Sequence, residues 1–244
     1  MIGLHRKRLV TALAAAAALF PGLAAAQANL CVPPKQIQRP QPDLPTIDQP
    51  SRVLPIGSYT LALTWSPGFC RANGNQPANR FQCGGSNRFG FTLHGLWPDG
   101  VGKSWPQYCT KTGLVPDAVI RATMCSTPSA QLIQHEWAKH GTCMPGTPAD
   151  YFDKARGLYG ALRYPDMAAL SRRTLTVGQF KAQFAAANPA VPASAMRVTL
   201  TRQNWLDEVW LCLDTRLRYA RCRPNTGGAP DAALVKIWRG GKAR

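Results

Sequence analysis

Acidic side chains are scarce in this 244-residue chain, where 12 Asp and Glu stand against 29 Lys and Arg for a formal net charge of +17. Histidine is scarcer still: there are four, and apart from His5 each lies in one of two short segments, residues 91–99 and 135–143. No Cys-x-x-Cys pair occurs among the eight cysteines, which argues against a zinc ribbon or a thioredoxin-type redox site. The one long apolar run, residues 9–20, is too short to span a bilayer, and no internal repeat is visible.

What is present starts with that run. It follows His5-Arg6-Lys7-Arg8 and ends in the small residues Ala24-Ala25-Ala26-Gln27-Ala28, the pattern of an export signal cut after Ala26 or Ala28. Cleavage would remove Arg6, Lys7 and Arg8, leaving 26 basic against 12 acidic residues and a mature charge of +14. A polyanionic partner is the natural inference, because basic side chains gain affinity by releasing counterions from phosphates; a basic surface kept for solubility is the plain alternative. All eight cysteines survive cleavage, and an oxidising compartment, periplasmic or extracellular, favours their pairing into structural bridges. The chain therefore divides into a signal (1–28), an arm (29–57) with seven prolines between Cys31 and Pro55, and one domain (58–244). Neither a membrane anchor after cleavage nor an obligatory protein partner is expected.

Periodicity predicts strands at 59–65, at 89–93 directly before His94, and at 196–201, 209–213 and 234–238. Capping signals predict helices opening at Thr127-Pro128 and running towards His140, at Thr147-Pro148 and at Thr176. Helices in the middle and strands at both ends favour an α+β fold. Cys212 and Cys222 are placed to clamp a hairpin.

The histidine segments read Phe91-Thr-Leu-His94-Gly-Leu-Trp97-Pro-Asp99 and His135-Glu136-Trp137-Ala-Lys139-His140-Gly-Thr-Cys143. Imidazole and imidazolium coexist near neutrality, so a histidine pair can take one proton and give another in one reaction. On a helix, Glu136 falls beside His140 and His135 beside Lys139. Trp97 offers a face for a base and Asp99 an acceptor for an exocyclic amine, whereas Trp137 reads as core. A zinc site of the His-Glu-x-x-His kind is the rival, but here the second histidine falls one place late, which on a helix turns the imidazoles apart, and Lys139 would repel a dication.

These two segments, with Trp65-Ser-Pro-Gly-Phe-Cys70, resemble the active-site segments of the ribonuclease T(2) family, in its bacterial, exported (RNase I-like) form. The resemblance implies an α+β fold with an antiparallel sheet core and helices packed against it. It implies cleavage of single-stranded RNA, with low base specificity and no metal or other cofactor, through a 2′,3′-cyclic phosphate. Carried over by position, His94, Glu136 and His140 are catalytic, Lys139 stabilises the transition state, and His135 assists phosphate binding. His140 would be the base and His94 the acid. Trp97, Asp99 and Trp105 match base-binding positions. The resemblance pairs Cys109 with Cys143 and Cys212 with Cys222, leaving Cys31, Cys70, Cys83 and Cys125 open; an arm pinned by Cys31 would cover part of the cleft. Two other readings stand beside it: a basic RNA-binding or inhibitory module without turnover, and a metal-dependent hydrolase.

Overall fold

The computed structural model describes residues 30–224 and 227–240; the expected signal, 1–28, lies outside them. In chain order these residues form β1 (Ile56–Trp65), α1 (Ser66–Asn73), α2 (Arg80–Cys83), β2 (Phe91–Gly100), α3 (Asp117–Thr123) and α4 (Ala130–Lys139). Then follow α5 (Pro148–Ala161), α6 (Met167–Leu170), β3 (Leu175–Thr176), α7 (Val177–Ala187), β4 (Met196–Leu200), β5 (Leu206–Leu213) and β6 (Leu234–Val235). None of the helices is long and apolar enough to cross a membrane.

Leu61 and Leu63 on β1, Phe91 and Leu93 on β2, and Val209 and Leu211 on β5 are almost wholly buried, and their shared face holds together an antiparallel sheet of order β2-β1-β5-β4. Helices α4, α5 and α7 pack against it, α5 through Tyr151, whose hydroxyl donates to the Leu96 carbonyl at 3.1 Å. The architecture is the α+β arrangement that the sequence predicts. Ser129 caps α4, and Thr147 and Thr176 each close a capping box, so three helix starts fall within a few residues of their signals.

Three elements differ from expectation. The strand expected to stop before His94 runs on through Pro98 to Gly100, which an edge strand permits because it can spare the missing N–H. Helix α1, which opens directly after Trp65, was not among the predicted helices; Pro67 sits in its first turn, where no donor is needed. The strand expected at 234–238 shortens to β6, which pairs with β3 outside the main sheet.

Four disulfides join Cys31–Cys125, Cys70–Cys83, Cys109–Cys143 and Cys212–Cys222. The first fastens the arm to the body. Arg121 then grips the carbonyls of Pro34 and Lys35 at 2.9 Å, Gln41 and Gln131 bond each other, and Arg52 bridges Gln107. Residues 30–55 have no helix and are held by these contacts along the flank of α4.

Candidate active site

A break in strand register aims the first histidine. Leu93 pairs with Leu63 and Gly95 with Ala62, so His94 has no partner across the ladder and is the extra residue of a bulge. Strict alternation would put His94 and Trp97 on opposite faces; the inserted residue puts both, with Asp99, on the face away from the core. Glu208 and Trp210 of β5 alternate onto that face too.

His94 Nδ1–H donates to Glu208 Oε1 at 2.6 Å, and His94 Nε2 lies 3.5 Å from Glu136 Oε1. Burial pulls the imidazole pKa down, but the Glu208 bond and the charges of Glu136, Glu208 and Asp207 outweigh it and raise it to about 9. Glu208 in turn accepts from Thr64 at 3.0 Å and Trp210 at 2.7 Å; burial pushes its carboxyl up, yet these bonds and His94 hold it below the usual range. Sequence reasoning missed Glu208. The signal is an acid in an apolar strand of a chain poor in acids, but the strand predicted at 209–213 starts three residues after β5 does and leaves Glu208 out.

Glu136 is 1% exposed. Its Oε2 accepts from Trp97 Nε1 at 2.8 Å, while Oε1 has no hydrogen bond. Burial pushes the carboxyl up to about 7 against the opposing pull of His94, Trp97 and Lys139. Its ion-pair partner is thus His94 across the cleft, not the helix neighbour His140. Gly95 makes the approach possible: a Cβ there would meet Glu136 Oε2 at 1.8 Å.

His140 stands just past the last residue of α4 with φ −111°, and it is 7% exposed. Burial, then the charges of Lys139, His135 and His94, lower its pKa well below 6.5, so it is neutral where His94 is charged. Its ring lies 5.6 Å from Trp97, which is 5.1 Å from His94: one indole separates the two imidazoles. Lys139 acts on His135, Glu136 and His140 through its charge.

The arm supplies a second unforeseen carboxylate. Asp43 accepts a short hydrogen bond from His135 Nδ1–H and another from the Tyr108 hydroxyl at 3.3 Å. The His135 pKa is lowered, burial and the charges of Lys139 and His94 prevailing over Asp43. Because His140 leaves the helix, its ring comes within 6.3 Å of His135, and donor atoms of His135, Glu136 and His140 lie within 4.8 Å of one another. This corrects the expectation that the helix turns the imidazoles apart. The fit to a cation is nonetheless poor, since Asp43 holds one His135 nitrogen, Trp97 holds one Glu136 oxygen, and Lys139 adds charge of the wrong sign.

Asp99 accepts from Thr60 at 2.9 Å and Ser58 at 3.3 Å; burial raises its pKa against these bonds and the charge of Arg223. Trp105 is 47% exposed and contacts Gln107 and the arm's Arg52, whose guanidinium lies 5.0 Å over its ring, not the histidines. Trp137 is core, its indole donating to Thr112. The Cys109–Cys143 bridge ties the loop after β2 to the residues following His140, and Cys212–Cys222 closes the segment after β5.

A probable ribonuclease of Haemophilus influenzae is 31% identical over 69% of this chain, the match spanning 62% of its own length. A ribonuclease of Aeromonas hydrophila is 34% identical over 64% of this chain and 71% of its own. Among solved structures, RNase NT in complex with 5′-AMP shares the fold at TM-score 0.59 and 18% identity, covering 75% of this chain and 98% of that one. The family model for the ribonuclease T2 family matches residues 56–222, from the first strand to the last cysteine, and the chain belongs to that family.

Proposed function

We propose that the protein is an exported endoribonuclease that cleaves single-stranded RNA, without a metal, by transesterification through a 2′,3′-cyclic phosphate. The observation that carries the reading is the pair of imidazoles held in opposite charge states on either side of Trp97. Neutral His140 takes the proton of the 2′-hydroxyl, whose oxygen attacks phosphorus and forms the cyclic phosphate. Charged His94 gives its Nε2 proton to the departing 5′-oxygen, its other nitrogen being held by Glu208. Lys139 stabilises the charge gathering on the phosphate, and Glu136, with a pKa near neutrality, serves partly as a neutral donor through the oxygen that has no hydrogen bond. His135 assists the phosphate when protonated, donating from Nε2 while Asp43 holds its Nδ1–H.

Trp97, Asp99 and Trp105 are proposed to meet the bases. Indole faces accept any base, in keeping with low base specificity, and a relative of this fold has been solved with 5′-AMP. Four disulfides, together with the basic-apolar-small start of the chain, support a periplasmic or secreted location.

Incubation of the purified protein with RNA in excess chelator tests the reading. Persisting cleavage supports it, binding without cleavage would mean a non-catalytic module, and loss of cleavage would point to the His135-Glu136-His140 cluster as a metal site. His94→Ala and His140→Ala are each expected to lower turnover by about 10² to 10⁴ while binding of 2′-O-methyl RNA is kept. Near-normal turnover in either variant would defeat the pairing.

A further inference from the structure

We infer that the surface around Trp205 is a second binding site for single-stranded RNA, holding the strand by its phosphates outside the cleavage point; the inference rests on the ribonuclease reading for the identity of its ligand. Trp205 ends the turn between β4 and β5, and the turn is fixed by Leu206 N–H donating to the Lys236 carbonyl and Lys236 N–H to the Asn204 carbonyl, both at 2.8 Å. Its ring meets that of Trp238 edge to face at 5.8 Å, and Trp238 is anchored to the core through its carbonyl, which accepts from Trp65 at 2.7 Å.

Onto this pair of indoles two cations are laid. The Arg71 guanidinium, from the last turn of α1, lies 4.3 Å from the Trp205 ring and 5.0 Å from that of Trp238, and Lys236 Nζ lies 4.7 Å from Trp205. A guanidinium held against an indole keeps its N–H edge free for a phosphate, and the ring takes up the orientational cost before the ligand arrives. Depressions flank Trp205 on both sides. One, of about 590 Å³, is lined by Arg173, Lys236, Trp238 and Arg239; the other, of about 480 Å³, by Arg71 and Arg202.

Among the described residues, Arg71, Arg173, Arg202, Lys236 and Arg239 form no ion pair and their side chains donate no hydrogen bond. Other arginines are committed, as Arg52, Arg121 and Arg156 are to backbone carbonyls and Arg218 to Asp214; what sets this group apart is its gathering around two indoles. The nearest acids in sequence turn away from the cluster, Asp207 to Thr199 and Glu208 to His94. Cations interleaved with indoles are the chemistry of sequence-independent single-strand binding. Glu208 follows Trp205 by three residues, roughly 10 Å along an extended strand, and it holds the catalytic imidazole, so one RNA strand can occupy both places.

The test compares Arg71→Ala/Lys236→Ala with wild type on a dinucleoside monophosphate and on a single-stranded RNA of about 20 nucleotides. KM for the long RNA should rise at least tenfold, with its dependence on log salt shallower by about 1.4, the value for two lost phosphate contacts on a single strand. The dinucleotide kcat/KM should stay within twofold. Lys236→Glu, on an exposed side chain, should raise KM for the long RNA on its own. Unchanged KM for the long RNA, or equal losses on both substrates, would overturn the proposal. Tryptophan-monitored binding of an uncleavable 2′-O-methyl strand separates this from the ribonuclease reading: a wild type that binds this strand yet fails to cut unmodified RNA, with binding lost in the double variant, keeps the surface and removes the activity. Loss of binding to phosphatidylglycerol vesicles with oligonucleotide binding intact would assign the surface to lipid and overturn it.

Discussion

His94 keeps its proton because carboxylates surround it, and Glu208 has the largest share in that. His135 and His140 oppose it through their charge when protonated, but both have lowered pKa values and are neutral over most of the range. With the proposed acid, His94, raised to about 9 and the proposed base, His140, well below 6.5, kcat/KM should climb at acid pH as His140 loses its proton. It should then decline in part through neutrality as Glu136 ionises, and fall fully as His94 loses its own proton. Glu208→Gln removes a raising influence, so the His94 pKa falls and the descending limb moves toward acid, while Glu208→Asp restores part of the difference. A pH profile of kcat/KM on a dinucleotide reads this directly; a descending limb that stays put in Glu208→Gln would remove Glu208 from the reaction. At this scale the motifs themselves were legible, because long runs such as His-Glu-Trp-x-Lys-His-Gly-Thr-Cys carry their own identity. Glu208 and Asp43 were not, since each reaches its histidine from far along the chain, 114 and 92 residues away, and no local pattern marks either.

The element that most alters the cleft is the arm. Seven prolines keep it from making a helix, and it lies as an extended strap whose position depends on point attachments: the Cys31–Cys125 bridge, Arg121, and the Arg52–Gln107 ladder. Cys31→Ser with Cys125→Ser opens a loop of 94 residues. Stability should fall by about 2 to 4 kcal/mol, the usual scale for a native bridge. Chemical denaturation measures the loss, and limited proteolysis should cut first within 32–50; a midpoint equal to wild type would show that the backbone bonds alone hold the strap. The extended character of this segment could be read from its prolines. Its docking could not, because the partners Arg121, Gln131 and Gln107 lie far off in sequence. The same holds for β2: the bulge at His94 depends on pairing with β1, and a strand read by itself gives no register.

For the whole molecule, positive charge acts at two ranges. On the proposed reading, exposed cations draw RNA in and are screened by salt, whereas His94 and Glu136 interact inside a cleft where screening is weak. Added salt should therefore raise KM for RNA more than it lowers kcat, and steady-state kinetics at two ionic strengths checks it; a kcat that falls in step with the rise in KM would place the salt-sensitive charges in the chemical step. The sign and size of the charge were plain from composition, but its gathering around Trp205 was not, because α1, the β4–β5 turn and the segment after β6 meet only in the folded chain. Connectivity carries one more consequence. On the proposed export, Cys31 emerges first, yet its mate is the fourth cysteine to follow it, and the Cys31–Cys125 and Cys109–Cys143 loops interlock. Oxidation in order of arrival would join Cys31 to Cys70, a mismatch that only thiol attack can undo. Maturation of this protein should accordingly be limited by reshuffling: reduced, unfolded chains should regain activity slowly with an oxidant alone and much faster once a disulfide isomerase is added.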